Sequence, residues 1–310
     1  MRHARNRLTQ GTLLAVVAAT SVAVAACANS PGHGSAAGTA SHRAAASKAS
    51  RPKAAASHPV VAAAAAVPAP SAATARPAPK FFRTLSPSAK LPSGAQCAKW
   101  VRARPIKENK GVNRRYNHRI GERVAANFLA DDTAQADKKL VPRINGDFTG
   151  TTQEILRWAA CKWGINQDVV FAQAAVESWW RQTTKGDWET NGCPPGHSPG
   201  VDGKPGLCPQ SWGILQNRYP YEKASWPGIQ RSTAMNADVA YAIWRACYDG
   251  YETWLNTVTH VGTYKKGDLW GCIGTWFAGR WHTQPAQQYI AKVKSYQRQR
   301  IWTTRDFQQP

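Results

Sequence analysis

The chain has 310 residues, a length that allows one or two domains, and its formal net charge is +22. All fourteen Trp lie between Trp100 and Trp302. The globular part therefore begins near residue 96 and has about 215 residues, enough for one well-buried core. The cysteines form no Cys-x-x-Cys pair and the histidines no His-Glu-x-x-His pattern, which argues against a zinc site.

Residues 1–27 predict a secretory signal. Three arginines precede an apolar stretch over residues 13–26, which is too short to span a membrane permanently. Small residues before Cys27 resemble a bacterial lipobox, with Val24 where Leu is usual, and imply lipid attachment to the Cys27 thiol. Plain secretion with a chance cysteine is the alternative. We therefore expect an exported lipoprotein, anchored in the membrane and facing the cell wall.

Residues 28–95 are mostly Ala, Pro, Ser, Lys and Arg and contain no Asp or Glu. Because they lack the large apolar side chains that offset chain entropy, we expect a disordered basic linker. In an exported protein the nearest polyanions are cell-wall polymers and anionic lipids rather than nucleic acid, so these are the expected partners. A solvated linker without a specific partner is the alternative.

Six cysteines remain after Cys27, and an even set in an exported chain predicts disulfides. Their pairing is not fixed by the sequence, because six cysteines can be joined in many ways. Proximity along the chain favours the pairs Cys193–Cys208, Cys247–Cys272 and Cys97–Cys161.

Capping signals predict two successive helices. Thr151 and Glu154 have the spacing of a capping box, and Gly164 stops the helix that they open. Asn166 can cap the next helix, with Asp168 in its first turn, where negative charge is favoured. That second helix is apolar on most sides, as a buried central helix would be.

The remaining chain reads as mainly helical. Residues 182–210 are rich in turn residues and predict loops or a short hairpin, and residues 234–254 and 285–302 predict two further helices. No clean alternating strand pattern is present. Residues 96–150 match no motif, and we interpret them as an extension of the globular domain fastened by Cys97.

Glu177 is the candidate catalytic residue. It ends the apolar helix and is followed by Trp179 and Trp180. Apolar surroundings and a helix C-terminus both disfavour a carboxylate and raise the pKa of the acid. An acid that keeps its proton near neutral pH, with indole rings around it, fits protonation of a glycosidic oxygen. The alternative is a solvated charge at a helix end.

Three segments resemble, in order, the motifs of the soluble lytic transglycosylase family. Residues 155–178 resemble the first motif, which ends in Glu177-Ser178, and residues 211–216 resemble its Ser-x-Gly-x-x-Gln motif. Residues 276–279 are similar to the Tyr-Asn-Ala-Gly motif and precede a helix with Tyr289, Ile290 and Val293. The resemblance covers residues 151 to 300.

The resemblance implies a lysozyme-like, mainly α domain over residues 151–310 with a cleft for peptidoglycan strands. We expect a monomer without a cofactor. It implies that Glu177 protonates the oxygen between N-acetylmuramic acid and N-acetylglucosamine. The ionised Glu177 then takes the proton of the sugar's 6-hydroxyl, and a 1,6-anhydro ring forms without water. The implied substrate-binding residues are Ser178, Ser211, Gly213, Gln216, Trp180 and Trp276.

The chain departs from the family in two places. The segment between Glu177 and Gly213 is longer than expected, and its Cys193 and Cys208 predict a stapled loop over the cleft. Trp276 and Phe277 stand where the family has Tyr and Asn. If that Tyr orients the acid, another group must do so here, and the candidates are Tyr241, Tyr219 and Tyr264.

Two other functions stay open. Asp187 or Glu189 could be the second acid of a hydrolase of the same glycan, since such enzymes use two carboxylates. A wall-binding protein without activity on the same fold is the other alternative. Residues 187–192 copy half of a calcium loop without its closing Glu, and residues 196–200 fit an esterase pattern between Pro and Gly, so neither predicts a site. Stacking on sugar rings is a further possibility for Trp180, Trp188, Trp212, Trp276 and Trp281.

Overall fold

The computed structural model describes residues 82–129 and 133–308. The predicted signal, the lipobox-like Cys27 and the linker up to residue 81 lie outside the described residues. The prediction that the linker extends to residue 95 is wrong for residues 82–95, because Phe82 is buried in the core and a helix begins at Gly94. The described part is mainly α with one three-stranded sheet, which confirms the predicted fold class at the level of secondary structure. Within these residues no helix has both the length and the apolar character needed to cross a membrane.

Ten α-helices follow one another along the described chain. The first three precede the apolar centre: α1 Gly94–Arg102, α2 Arg114–Asn117 and α3 Ala134–Leu140. The next four are α4 Thr152–Trp163, α5 Gln167–Ser178, α6 Gly228–Arg231 and α7 Thr233–Asp249. The last three are α8 Leu269–Ala278, α9 Gln284–Gln299 and α10 Arg305–Gln308.

The capping predictions for α4 and α5 are confirmed. Thr151 and Glu154 form a reciprocal capping box, and Gly164 ends α4 in the left-handed conformation at φ 63°. The Asn166 side chain accepts hydrogen bonds from the first turn of α5, where Asp168 lies. α5 ends at Ser178, because Trp179 adopts the left-handed conformation at φ 56°, and Glu177 therefore lies in its last turn.

The core surrounds α4 and α5, which are buried on nearly all sides. α4 packs against α1, α5 and α7, while α5 packs against α9, which in turn packs against α8. Trp158, Trp163 and Trp180 are among the largest fully buried side chains. This packing brings α8 and α9 beside the C-terminal end of α5.

Two predicted helix ends are wrong, and several helices, α8 among them, were not predicted. The helix predicted over residues 234–254 stops at Asp249, because Gly250 adopts φ 97° and a separate 3₁₀ turn, Thr253–Asn256, follows. α9 stops at Gln299 rather than at residue 302, since Arg300 is left-handed. α8 was not predicted; Asp268 caps it by accepting from the Gly271 N–H.

The predicted hairpin is present. β1 Lys185–Glu189 pairs antiparallel with β2 Cys208–Trp212, and β2 pairs with the short β3 Asn217–Arg218. In this register Lys185 lies opposite Trp212, and Glu189 lies opposite Cys208. Consecutive side chains of β2 point to opposite faces of the sheet, so Ser211 and Trp212 serve different surfaces.

Three disulfides link the described chain: Cys97–Cys161, Cys193–Cys208 and Cys247–Cys272. This is the pairing that sequence proximity favours. The bridges close loops of 64, 15 and 25 residues, and loop-closure entropy predicts about 3 to 4 kcal/mol of stabilisation for each. Such bonds form in oxidising compartments and are consistent with export.

The N-terminal extension holds the segment that follows the candidate acid. Cys97 joins α1 to α4, as predicted. Asn113 donates from Nδ2 to the Trp180 carbonyl at 2.6 Å, and its Oδ1 accepts the Gln182 N–H at 2.8 Å. The fully buried Asn113 thereby fixes the chain immediately after α5.

Candidate active site

A cleft of about 880 Å³ opens at the C-terminal end of α5. It lies between that helix end, the sheet, and the C-terminal part of α8. All three motifs of the family resemblance contribute to its walls, although they are far apart in sequence. The lining side chains used below are Glu177, Asp187, Ser211, Gln216, Arg218, Tyr221, Glu222, Trp276 and Phe277.

Glu177 is partly exposed to this cleft and otherwise enclosed by protein. Desolvation raises the pKa of its carboxyl from an ordinary 4.5 to about 7. The negative charge of Asp187 contributes to this rise, whereas hydrogen bonds from Tyr289 and Trp276 and the charge of Lys292 oppose it, and the pKa of about 7 is the net result. An acid with a pKa of about 7 is present in both protonation states near neutral pH, so it can give a proton and take one back.

Tyr289 of α9 orients the acid. Its hydroxyl donates to Glu177 Oε1, and its ring stacks on Phe277 with centroids 4.9 Å apart. Burial and the neighbouring Glu177 raise the pKa of Tyr289 well above its ordinary value, which keeps the donor protonated. The hydroxyl that donates to the acid therefore comes from α9, while Phe277 of α8 packs against the ring that carries it.

The three tyrosines proposed for this role are wrong. Tyr241 donates to the Val170 carbonyl at 3.3 Å, and Tyr264 donates to the Cys247 carbonyl at 2.6 Å. Tyr219 packs edge-on against Trp226. Each of them is occupied by a contact within the fold, and none donates to the candidate acid.

The residues 211–216 form a turn whose backbone is held by buried amides. Gly213 adopts φ 89°, and a Cβ there would lie 2.7 Å from Asn236 Cγ and 2.9 Å from Gln182 Nε2. Gln182 Oε1 accepts the Ile214 N–H at 3.1 Å, and Asn236 Oδ1 accepts the Leu215 N–H at 2.9 Å. Gly213 does not line the cleft, so its predicted substrate contact is corrected to a structural role.

Ser178 and Trp180 also point away from the cleft. The buried Ser178 hydroxyl donates to the Ile214 carbonyl at 2.9 Å and so ties the end of α5 to the 211–216 turn. Trp180 is 0% exposed and donates from Nε1 to the Phe171 carbonyl at 2.9 Å. The predicted substrate-binding role of both residues is wrong for this structure, because their polar groups are satisfied inside the protein.

Ser211, Gln216 and Trp276 do line the cleft. The Ser211 hydroxyl donates to Asp187 Oδ2. Gln216 donates from Nε2 to the carbonyls of Thr184 and Gly213, at 3.1 and 2.8 Å. Their contact with substrate stays a prediction, but the structure places all three side chains where such contact is possible.

Of the two possible second acids, the structure brings only Asp187 to the cleft. Asp187 sits at a strained φ of 47° in β1, and its half-exposed carboxylate lies 3.6 Å from Arg218 Nε. Glu189 lies 3.8 Å from Arg218 Nη2 and is not among the residues that line the cleft. Because side chains alternate along a strand, Asp187 and Glu189 lie on the same face of β1, but only Asp187 is near Glu177.

Glu222 is a second buried acid of the cleft that sequence reasoning missed. Its side chain is 8% exposed, and burial raises its pKa from 4.5 to about 8, against the lowering effect of backbone N–H groups and the charge of Arg218. Within residues 82–129 and 133–308, Glu222 Oε2 has no hydrogen-bond partner. The flanking aromatic residues Tyr219 and Tyr221 were the signal that could have marked it.

The other tryptophans that were predicted to stack on sugar rings lie in different parts of the structure. Trp281 is buried in the core, where it packs edge-on against Tyr264, so stacking on a sugar is excluded in this structure. Trp212 lines a different pocket, and the half-buried Trp188 lies under Lys204 Nζ, 4.4 Å from the ring centroid. Trp276 alone of the predicted set reaches the cleft, where Trp254 also lies.

The described residues support neither the calcium-loop pattern nor the esterase pattern as a functional site. Those residues contain no group of three or more His, Cys, Asp or Glu side chains that could hold a metal ion. The Gly196–Gly200 segment is a loop between β1 and β2, without the strand and helix that an esterase nucleophile requires. Its His197 bonds to Asp202 instead of to a serine.

Comparison with known proteins adds no family to these observations: no family model matches the sequence, and no curated protein or solved structure matches the chain.

Proposed function

We propose that the protein is a peptidoglycan lytic transglycosylase that uses Glu177 as general acid and then general base. The observation that carries the proposal is a carboxyl with a pKa of about 7, held by two side-chain donors at the wall of a cleft of about 880 Å³. A cleft of that size accommodates several sugar units, and its Trp276 and Phe277 offer aromatic surface for them.

The proposed reaction needs no water. Protonated Glu177 gives its proton to the oxygen between N-acetylmuramic acid and N-acetylglucosamine, and the bond from C1 of the muramic acid to that oxygen breaks. Ionised Glu177 then removes the proton of the 6-hydroxyl of the same muramic acid, and the 6-oxygen bonds to C1. Glu177 ends protonated, as it began, and one carboxyl therefore suffices.

Tyr289 and Trp276 support both halves of this cycle. Their hydrogen bonds stabilise the ionised acid and so limit the pKa that burial alone would produce. They also hold the carboxyl in one orientation, which general acid catalysis requires because the proton must be within hydrogen-bond reach of its acceptor.

A hydrolase of the same glycan is the second candidate, and Asp187 is the observation that favours it. Asp187 shares the cleft with Glu177 and is close enough for its charge to raise the pKa of Glu177. Most glycosidases use one protonated carboxylic acid together with one carboxylate. In that reaction Asp187 would activate a water or stabilise the cationic sugar, and the product would carry a reducing end.

Mass spectrometry of the products from purified cell-wall sacculi tests the proposal. A transglycosylase releases 1,6-anhydro products, which lack one water relative to the reducing-end products of a hydrolase. The matched variants are Glu177→Gln, Asp187→Asn and Glu189→Gln, since Glu189 lies outside the cleft. We expect anhydro products that only Glu177→Gln abolishes.

Two other results would contradict the proposal. Reducing-end products that disappear with Asp187→Asn would assign the site to the hydrolase. Wall co-sedimentation without any product from the wild-type protein would assign it to wall binding without catalysis.

The proposal also includes an exported lipoprotein whose residues 28–81 contact anionic wall polymers or lipids. The three disulfides support export but do not bear on the anchor. Labelling with a radioactive fatty acid, compared between the wild-type chain and Cys27→Ala, tests it. Label in the wild-type protein alone is expected, and equal absence of label from both would refute the anchor.

A further inference from the structure

Arg218 lies beside both acids of β1 on the sheet wall of the cleft. It belongs to β3, where it is opposite Ser211 of β2, and both residues line the cleft. Its Nε lies 3.6 Å from Asp187 Oδ2, and its Nη2 lies 3.8 Å from Glu189 Oε1. One guanidinium group therefore offsets the negative charges of both acids.

A neutral amide fixes the position of the Arg218 guanidinium. The Oε1 of the buried Gln210 accepts from Arg218 Nε at 3.3 Å and from its Nη2 at 2.9 Å. Gln210 Nε2 in turn donates to the Asn191 carbonyl at 3.0 Å, which sets the orientation of the amide. Because the planar guanidinium is held at two nitrogens, Arg218 presents a fixed charge to the cleft.

Asp187 is held in one position by contacts to a single carboxylate oxygen. Its Oδ2 accepts a hydrogen bond from the Ser211 hydroxyl and also faces the Arg218 guanidinium. Its backbone has a φ of 47°, a left-handed conformation that a residue other than glycine keeps only where the surrounding structure requires it. The side-chain contacts and the backbone conformation together indicate a carboxylate that is fixed by the protein.

These contacts bear on the choice between the two glycan reactions. In a hydrolase the second carboxylate accepts a proton from the attacking water or bonds directly to the sugar carbon. An oxygen that already accepts from a hydroxyl and faces a guanidinium is poorly placed for either task, because its lone pairs are engaged and the positive charge of Arg218 offsets its own.

We propose that Arg218 is a positioning residue that selects the product of the reaction. By holding Asp187 it prevents that carboxylate from activating water, so cleavage ends in the 1,6-anhydro ring. This inference rests on the proposed function, because it takes Glu177 to cleave the glycan.

Loss of Arg218 opens the hydrolytic route. Glu177 still gives its proton to the leaving oxygen, and the bond from that oxygen to C1 of the muramic acid breaks. The released Asp187 takes one proton of a water molecule, and the remaining hydroxide bonds to C1. One water is consumed, and the product carries a reducing end in place of the anhydro ring.

Mass spectrometry of digested sacculi measures this selection as the fraction of new ends that are reducing ends. The first test variant is Arg218→Gln, and the second is Ser211→Ala, a small change that removes the other partner of Asp187. The double variant Arg218→Gln with Asp187→Asn has no carboxylate to release. Arg280→Gln is the matched control, because Arg280 is an exposed arginine that lines the same cleft and donates to the Gly279 carbonyl.

We expect the reducing-end fraction to rise about fivefold in Arg218→Gln, the upper value for an ion pair that water partly screens, and by a smaller factor in Ser211→Ala. The double variant should return to the wild-type fraction, and Arg280→Gln should match the wild type. A thermal unfolding midpoint near the wild-type value verifies that each variant is folded.

Three results would overturn the inference: an unchanged fraction in both Arg218→Gln and Ser211→Ala, a rise that persists in the double variant, or an equal rise in Arg280→Gln. If Arg218→Gln does not fold, the fraction measured for Ser211→Ala decides. Reducing ends as the main product of the wild-type protein would instead contradict the proposed function, whereas anhydro products from all variants alike would contradict only the selection by Arg218.

Discussion

Glu177 and Glu222 line the same cleft, and burial raises the pKa of both, but their surroundings differ. Glu177 receives hydrogen bonds from two side chains, Tyr289 and Trp276, and is partly open to the cleft. Glu222 is more deeply enclosed, and its Oε2 has no partner in the described part of the chain. A raised pKa alone therefore does not mark a catalytic acid; exposure to the substrate and an oriented carboxyl are needed as well.

The largest expected effect is on enzyme activity, which should depend on Glu177 but not on Glu222. We expect Glu177→Gln to lower the rate of sacculus digestion by about 10³-fold, within the range for loss of a general acid and base. The amide keeps the size of the side chain, so the fold and wall binding should persist. Glu222→Gln should keep most of the activity, and a comparable loss in that variant would end the distinction between the two acids.

The pH dependence of the unfolding free energy tests the raised pKa of Glu222. The pKa of Glu222 is about 8 in the folded protein and near 4.5 when unfolded, so the folded state retains a proton that the unfolded chain releases. This stabilisation is complete below pH 4.5 and is lost as the pH rises to about 8. One pKa unit corresponds to about 1.4 kcal/mol. We therefore expect the unfolding free energy of Glu222→Gln to exceed that of the wild type by a few kcal/mol at pH 9.

Denaturant unfolding at pH 4 and pH 9 measures this difference, which should be small at pH 4. A wild type and a Glu222→Gln variant with parallel stability curves over that range would show that Glu222 ionises normally.

The next largest effect is on stability and concerns the turn over residues 211–216, which supports the cleft. Gly213→Ala places a Cβ against Asn236 at a backbone φ of 89°, so we expect a loss of about 2 to 3 kcal/mol in unfolding free energy. Gly262→Ala is the matched control, because Gly262 has φ 69° and no atom within 4 Å of an added Cβ. Equal losses in the two variants would attribute the effect to backbone conformation alone.

The smallest effect concerns the orientation of the acid. Tyr289→Phe keeps the stacking on Phe277 but removes the hydrogen bond that lowers the pKa of Glu177. We expect activity to fall about tenfold and the alkaline limb of the pH–rate profile to move to higher pH. Tyr221→Phe, in which an exposed tyrosine of the cleft loses its hydroxyl, should leave the profile in place.

Local signals explain which parts of the fold could be predicted. The caps at Thr151 and Asn166 determine α4 and α5 within a few residues, so the position of Glu177 followed from the sequence. α8 lacks such a pattern: it contains Trp, Gly and Ile on nearly every side and no charged face, so periodicity did not reveal it. The disulfides were predicted by proximity, which worked because each bridge joins adjacent elements.

The site was less predictable because its contacts are long-range. Tyr289 and Glu177 are 112 residues apart, and only the packing of α9 on α5 brings them together. Ser178 and Gly213 lie in the motifs and Trp180 follows the first of them, so the sequence predicts substrate contacts for all three. Their polar atoms or backbone conformations instead serve the scaffold. Glu222 lies outside every motif and becomes visible only as a wall of the cleft.

Direct titration of the Glu177 carboxyl tests the central claim most simply. Carbon-13 NMR of protein with labelled glutamate side chains, compared between the wild type and Glu177→Gln, identifies its signal. We predict a midpoint at about pH 7, shifted upward when Tyr289 is replaced by Phe. A midpoint near 4.5, the ordinary value for a solvated glutamate, would contradict the account of Glu177 as the proton donor.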